Sequence, residues 1–96
     1  MNTIKINDLV LELINYSKNT NFIENHFRYS IACTVNTNIT SEIEALLLET
    51  ITSIEIYVKD NLIYELKNIS GKIENLNEYF VSDHMATTIN LILDKE

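Results

Sequence analysis

Proline and tryptophan are absent from this 96-residue chain, glycine occurs once, as Gly71, and cysteine once, as Cys33. With one glycine the chain cannot build a glycine-rich loop that cradles phosphate, and its turns fall to Asn, Asp and Ser, so loops are expected to be short. A lone thiol makes no internal disulfide, whereas small secreted domains usually carry several, and a reducing, cytoplasmic setting is expected. No run of about 18 apolar residues is present to cross a membrane, and the apolar stretch near the start is interrupted by Glu12 and lacks a basic flank. Basic residues are also scarce, 7 against 14 acidic, for a net charge of −7. That balance disfavours direct binding to nucleic acid or anionic lipid and favours a basic protein partner.

What is present is the composition of a folded domain, with 46% hydrophobic and 22% charged residues. A chain of this size supports one core, so residues 1–96 are read as a single domain. Over residues 7–18, Leu9, Val10, Leu13 and Ile14 have the spacing of one helical stripe. Asn7 serves as N-cap, Asp8 and Glu12 lie near the start and Lys18 at the end, which predicts a first helix. The period then changes. Phe27, Tyr29, Ile31, Cys33 and Val35 alternate with Arg28, Ser30, Ala32 and Thr34, the pattern of a half-buried strand. Ser41 and Glu44 form a Ser-x-x-Glu capping box for a second helix with Ile43, Leu46 and Leu47 inside and Glu42 and Glu49 outside.

Residues 51–58 and 62–66 read as a hairpin whose register follows from the hydrophobic pattern. A three-residue loop of Lys59, Asp60 and Asn61, with Asn61 left-handed, pairs Val58 with Leu62, Ile56 with Tyr64 and Ile54 with Leu66, giving one apolar face. Ser70 and Gly71 suggest a turn, and Ile73, Leu76 and Phe80 a short helix or packed loop. Residues 86–93 alternate again, with Thr87, Ile89, Leu91 and Leu93 on one face, as a terminal strand. The fold class expected is therefore α+β: a small antiparallel or mixed β-sheet of about four strands, with two or three helices packed on one face.

No catalytic, metal or cofactor site is indicated. His26, His84 and Cys33 are a thin supply of ligands, and Asp83 and His84, being adjacent, point apart. Cys33 lies on the strand's apolar face, where a packed and unreactive thiol is expected. No Ser or Cys stands in a strained nucleophile turn, so the chain is read as a non-enzyme. The outer face of the hairpin is more informative, because its register sets Glu55 opposite Glu65 and Tyr57 opposite Ile63. Opposed like charges cost stability in a sheet. They persist either neutrally or because a basic partner offsets them, in which case Tyr57 and Ile63 supply an apolar anchor and Glu55 and Glu65 the charge selectivity. Glu42, Glu44 and Glu49 either extend that patch or form an ordinary solvated helix face. Tyr79 and Phe80 read as a plug over the core, with a contact site as the alternative.

The opening Ile6, Asn7, Asp8 and Leu9, followed by Glu12, resembles the start of small acidic phage anti-CRISPR proteins that inhibit Cas9. The Asn-, Ile- and Lys-rich, proline-free composition is similar to that of AT-rich phage genes. The resemblance covers about half a dozen residues and implies a non-catalytic inhibitor that occupies a nuclease's nucleic-acid groove with an acidic surface. No site residue carries over by motif. The reading is thus a binding protein docking Glu55, Tyr57, Ile63 and Glu65 on a basic face of a nucleic-acid-handling protein. The alternative is a structural or assembly protein, such as a phage particle component, that forms homo-oligomers through residues 86–93 as an exposed strand edge.

Overall fold

Two three-stranded meanders, joined by a short helix, close on each other into one antiparallel barrel in a computed structural model that describes residues 1–81 and 84–95. The first meander is β1 (Thr3–Ile6), β2 (Leu9–Ile23) and β3 (His26–Val35). After α1 (Ser41–Leu47), the second is β4 (Ile51–Val58), β5 (Asn61–Val81) and β6 (His84–Lys95). The strand order around the barrel is β1-β2-β3-β6-β5-β4, with β1 paired to β4 across the closure and β3 to β6.

The expected α+β class is therefore corrected to a mostly-β fold with α1 as the one helix among the described residues. The helix expected over residues 7–18 is instead the β1–β2 turn followed by the start of β2. Its apparent stripe mixed two faces: Leu11 and Leu13 are buried, whereas Val10 and Ile14 point outward. The Ser70 and Gly71 turn and the following helix are likewise one continuous strand, β5.

Among the described residues, three two-residue turns without glycine connect consecutive strands. Asn7 (φ 54°) opens the β1–β2 turn, Glu24 and Asn25 (φ 48° and 67°) join β2 to β3, and Lys59 and Asp60 (φ 52° and 66°) join β4 to β5. The paired left-handed residues match the right-handed twist of hairpin strands. Asn7 is thus a turn residue and not an N-cap. Its Oδ1 accepts from the Thr52 N–H at 2.8 Å and the Thr52 hydroxyl at 3.2 Å, and its Nδ2 donates to the Thr50 carbonyl at 3.1 Å, tying the turn to the start of β4.

β2 and β5 each pair with two neighbours in the barrel, and bulges interrupt their registers. In β2 the register against β3 shifts at Ile14. In β5 it shifts against β4 around Asn68 (φ 57°) and against β6 at Glu74. Gly71 sits at the β5 corner, opposite Ile51 on one side and Leu93 on the other. A Cβ there would lie 2.2 Å from the Ile92 carbonyl oxygen and 2.7 Å from the Leu93 Cα, so only glycine permits this approach.

The interior is aliphatic. Ile4, Ile31, Ile51, Ile54, Ile56, Ile89, Leu91 and Leu93 are fully buried, and α1 adds Leu47 to the same cluster. The expected inner face of residues 86–93 is confirmed at Thr87, Ile89, Leu91 and Leu93. These residues are not an edge, however, because β6 pairs with β3 on one side and β5 on the other. The helix starts one residue earlier than the capping box predicts: Thr40 is the N-cap, its Oγ1 accepting from the Ile43 N–H at 3.3 Å.

Candidate functional site

The hairpin face unites most of the residues the sequence singles out, in a modified register. Glu55 stands opposite Glu65, Ile56 opposite Tyr64 and Ile54 opposite Leu66, as expected. Because the turn has two residues and not three, Val58 meets Asn61 and Tyr57 meets Leu62, and a bulge absorbs the difference at Ile63. The left-handed positions accordingly fall on Lys59 and Asp60, not Asn61. Leu62 and Ile63 are both about half exposed beside Tyr57.

The opposed carboxylates on this face are compensated within the chain. Lys5 lies opposite Glu55 on the neighbouring strand, with its Nζ 3.8 Å from Glu55 Oε2, and the Tyr57 hydroxyl donates to Glu55 Oε1. That hydrogen bond to the carboxylate raises the Tyr57 pKa, with smaller contributions from desolvation and from the charges of Glu55 and Glu65. Lys67 Nζ lies 3.7 Å from Glu65 Oε2. The Glu55 side chain is only 17% exposed, so little of its charge reaches a partner. The hydrophobic pattern of residues 3–6 is too short to mark β1, and Lys5 does not emerge from the sequence as a neighbour of Glu55 for that reason.

A second acidic surface lies at the α1 end of the barrel. Asp8, Glu42, Glu44 and Glu49 are exposed, and among the described residues none of them forms an ion pair. Asp8 of the β1–β2 turn and Glu49 after the helix line one cleft of about 160 Å³ with Leu9 and Leu46. Leu46 and Leu48 are 48% and 66% exposed, which places apolar side chains among the acids. Glu42 and Glu44 also occupy the first turn of α1, where the helix dipole favours anions.

The remaining reactive groups are occupied or covered. Cys33 is buried as expected, and desolvation pushes its thiol up to about 12. His26 Nε2 lies 3.2 Å from Asp94 Oδ1, the same oxygen that accepts from Arg28 Nε at 2.8 Å. The hydrogen bond from Arg28, ahead of desolvation acting the other way, holds the Asp94 carboxyl below its usual range, and His26 adds to this. Asp83 and the side chains of His84 and Tyr79 lie outside the described residues. Phe80 is 79% exposed, so it does not plug the core. Among the described residues no three His, Cys, Asp or Glu side chains gather to hold a metal. Among the described residues no helix is long and apolar enough to cross a membrane.

Compared with family models, curated proteins and solved structures, the chain matches none, and none of these comparisons links it to the anti-CRISPR proteins its opening residues resemble.

Proposed function

We propose that the chain is a non-catalytic binding domain that docks its α1 end on a basic surface of a protein partner, of the kind that nucleic-acid-handling proteins carry. The observation that carries this reading is the pairing of uncompensated acids with exposed leucines: Asp8, Glu42, Glu44 and Glu49 around Leu46 and Leu48. Apolar side chains anchor an interface and unpaired charges steer the encounter. The hairpin face of Glu55, Tyr57, Ile63 and Glu65 is the weaker docking surface, because Lys5, Lys67 and the Tyr57 hydroxyl already satisfy its carboxylates. The chain's net charge of −7 favours a basic partner over free nucleic acid.

The test is affinity capture with the tagged full chain, eluted by a salt gradient and read by mass spectrometry. It compares the wild type with Glu42→Lys, Glu49→Lys and with Glu55→Lys, Glu65→Lys double variants. The reading predicts a nucleic-acid-handling protein that elutes as salt rises, falls about tenfold or more in recovery with the first variant, and is retained by the second. Recovery unaffected by the α1 substitutions, or lost only with the hairpin substitutions, would sink the assignment of this face.

A further inference from the structure

The part of β2 beyond Ile14 has, among the described residues, one strand partner. β1 pairs with β2 only from Leu9 to Glu12, with one further bond from the Leu13 N–H to the Asn2 carbonyl. Beyond the bulge at Ile14, residues 15–23 pair, among the described residues, with β3 alone. This leaves an open edge about 30 Å long, at roughly 3.3 Å per residue.

Within residues 15–23 this edge has no proline, acid or bulge, and Lys18 is the one charge that guards it. Residues 15–23 read Asn, Tyr, Ser, Lys, Asn, Thr, Asn, Phe, Ile, with Lys18 as the single charge in a chain of net charge −7. The corresponding outer half of β5 is different, for it carries a bulge at Glu74 and a second acid at Glu78. Phe22 stands 64% exposed on this strand, its ring 5.1 Å from that of Phe27.

We propose that this edge pairs with the same edge of a second copy, antiparallel about a two-fold axis at Asn19. An antiparallel strand is complementary to its own copy by symmetry. The turn decides the phase. Ile23 and His26 flank the two-residue turn as a hydrogen-bonded pair, so odd-numbered residues bond β3 and the even-numbered Tyr16, Lys18, Thr20 and Phe22 turn their N–H and C=O groups outward. Even residues must then meet even residues. With Asn19 on the axis, Tyr16 meets the partner's Phe22 and Lys18 meets the partner's Thr20, for about eight ladder hydrogen bonds using every outward group. One step in either direction is worse, since it sets Lys18 against the partner's Lys18 or carries Tyr16 into the turn at the partner's Glu24. The acid-free edge is where two acidic chains approach with least repulsion, and Tyr16 opposite the partner's Phe22 adds an aromatic cross-strand pair at each end.

Sedimentation velocity on the full chain should show a dimer at high micromolar concentration. Thr20→Pro removes an outward N–H without touching the β3 ladder and should give a folded monomer by circular dichroism. In a Cys33→Ser background, Asn19→Cys should form an intermolecular disulfide under mild oxidation, because residues facing each other in a non-hydrogen-bonded pair have Cα atoms about 4.5 Å apart. Asn21→Cys in the same background should not. A wild type that stays monomeric, a dimer indifferent to Thr20→Pro, or equal cross-linking at positions 19 and 21 would overturn the proposal. If Thr20→Pro fails to fold, the two cysteine variants decide it.

Discussion

Gly71, the only glycine, shows how one residue type fixes a barrel corner. Its backbone meets β4 and β6 at once, and a methyl group there would overlap main-chain atoms of Ile92 and Leu93 as well as the Leu93 side chain, so shifting that side chain alone would not relieve the clash. Gly71→Ala is expected to lower unfolding free energy by about 3 kcal/mol or to prevent folding, measured by urea denaturation. Cys33 makes a second residue-scale prediction. Its folded pKa lies at about 12 against 9.0 for the free thiol, so between these values the unfolded chain loses a proton that the native chain keeps. Stability must therefore fall as pH rises from about 9 towards 12. Urea midpoints should decline more steeply over that window for the wild type than for Cys33→Ala, and parallel declines would count against the buried thiol as the cause.

At the scale of elements, the sequence was legible wherever a strand kept its phase and misleading wherever a bulge broke it. β3 and β6 alternate without interruption and were read correctly, as was α1 apart from its first residue. In β5 the bulge at Glu74 lets Ile73 and Leu76 both face inward at a spacing of three, which imitates a helix. In β2 the bulge at Ile14 and the leucine-rich start had the same effect, and Leu11, which carries the period of two, went unused. Of the candidate site, the Glu55 and Glu65 pairing was legible because it follows from the apolar face. The Lys5 neighbour and the α1-end acids were not, since they depend on β1 and on the barrel's closure. The hairpin turns offer a prediction of their own. Lys59 and Asp60 hold left-handed φ values at some cost, so Lys59→Asn with Asp60→Gly should raise stability by about 1 kcal/mol, read from the urea midpoint.

Taken as a whole, the molecule puts its aliphatic residues inside and its phenylalanines outside. Among the described residues no aromatic ring is fully buried, although Tyr16, Tyr29 and Tyr64 pack against the core, and Phe22, Phe27 and Phe80 are 64%, 48% and 79% exposed. A tightly packed barrel of Ile, Leu and Val frees the largest apolar side chains for contacts with other chains, and exposed apolar surface of this kind marks interaction sites. Charge is divided in the same manner. The hairpin carboxylates are offset within the chain, and the α1 end keeps acids that no described cation answers. The long β2 edge adds a third exposed feature on a different part of the barrel. Backbone amide hydrogen exchange, measured on the chain alone and in complex with the captured partner, tests the central claim most directly. The account predicts added protection in residues 8–10 and 41–49 with little change across residues 55–65. Protection confined to residues 55–65, with the α1 end unchanged, would contradict it.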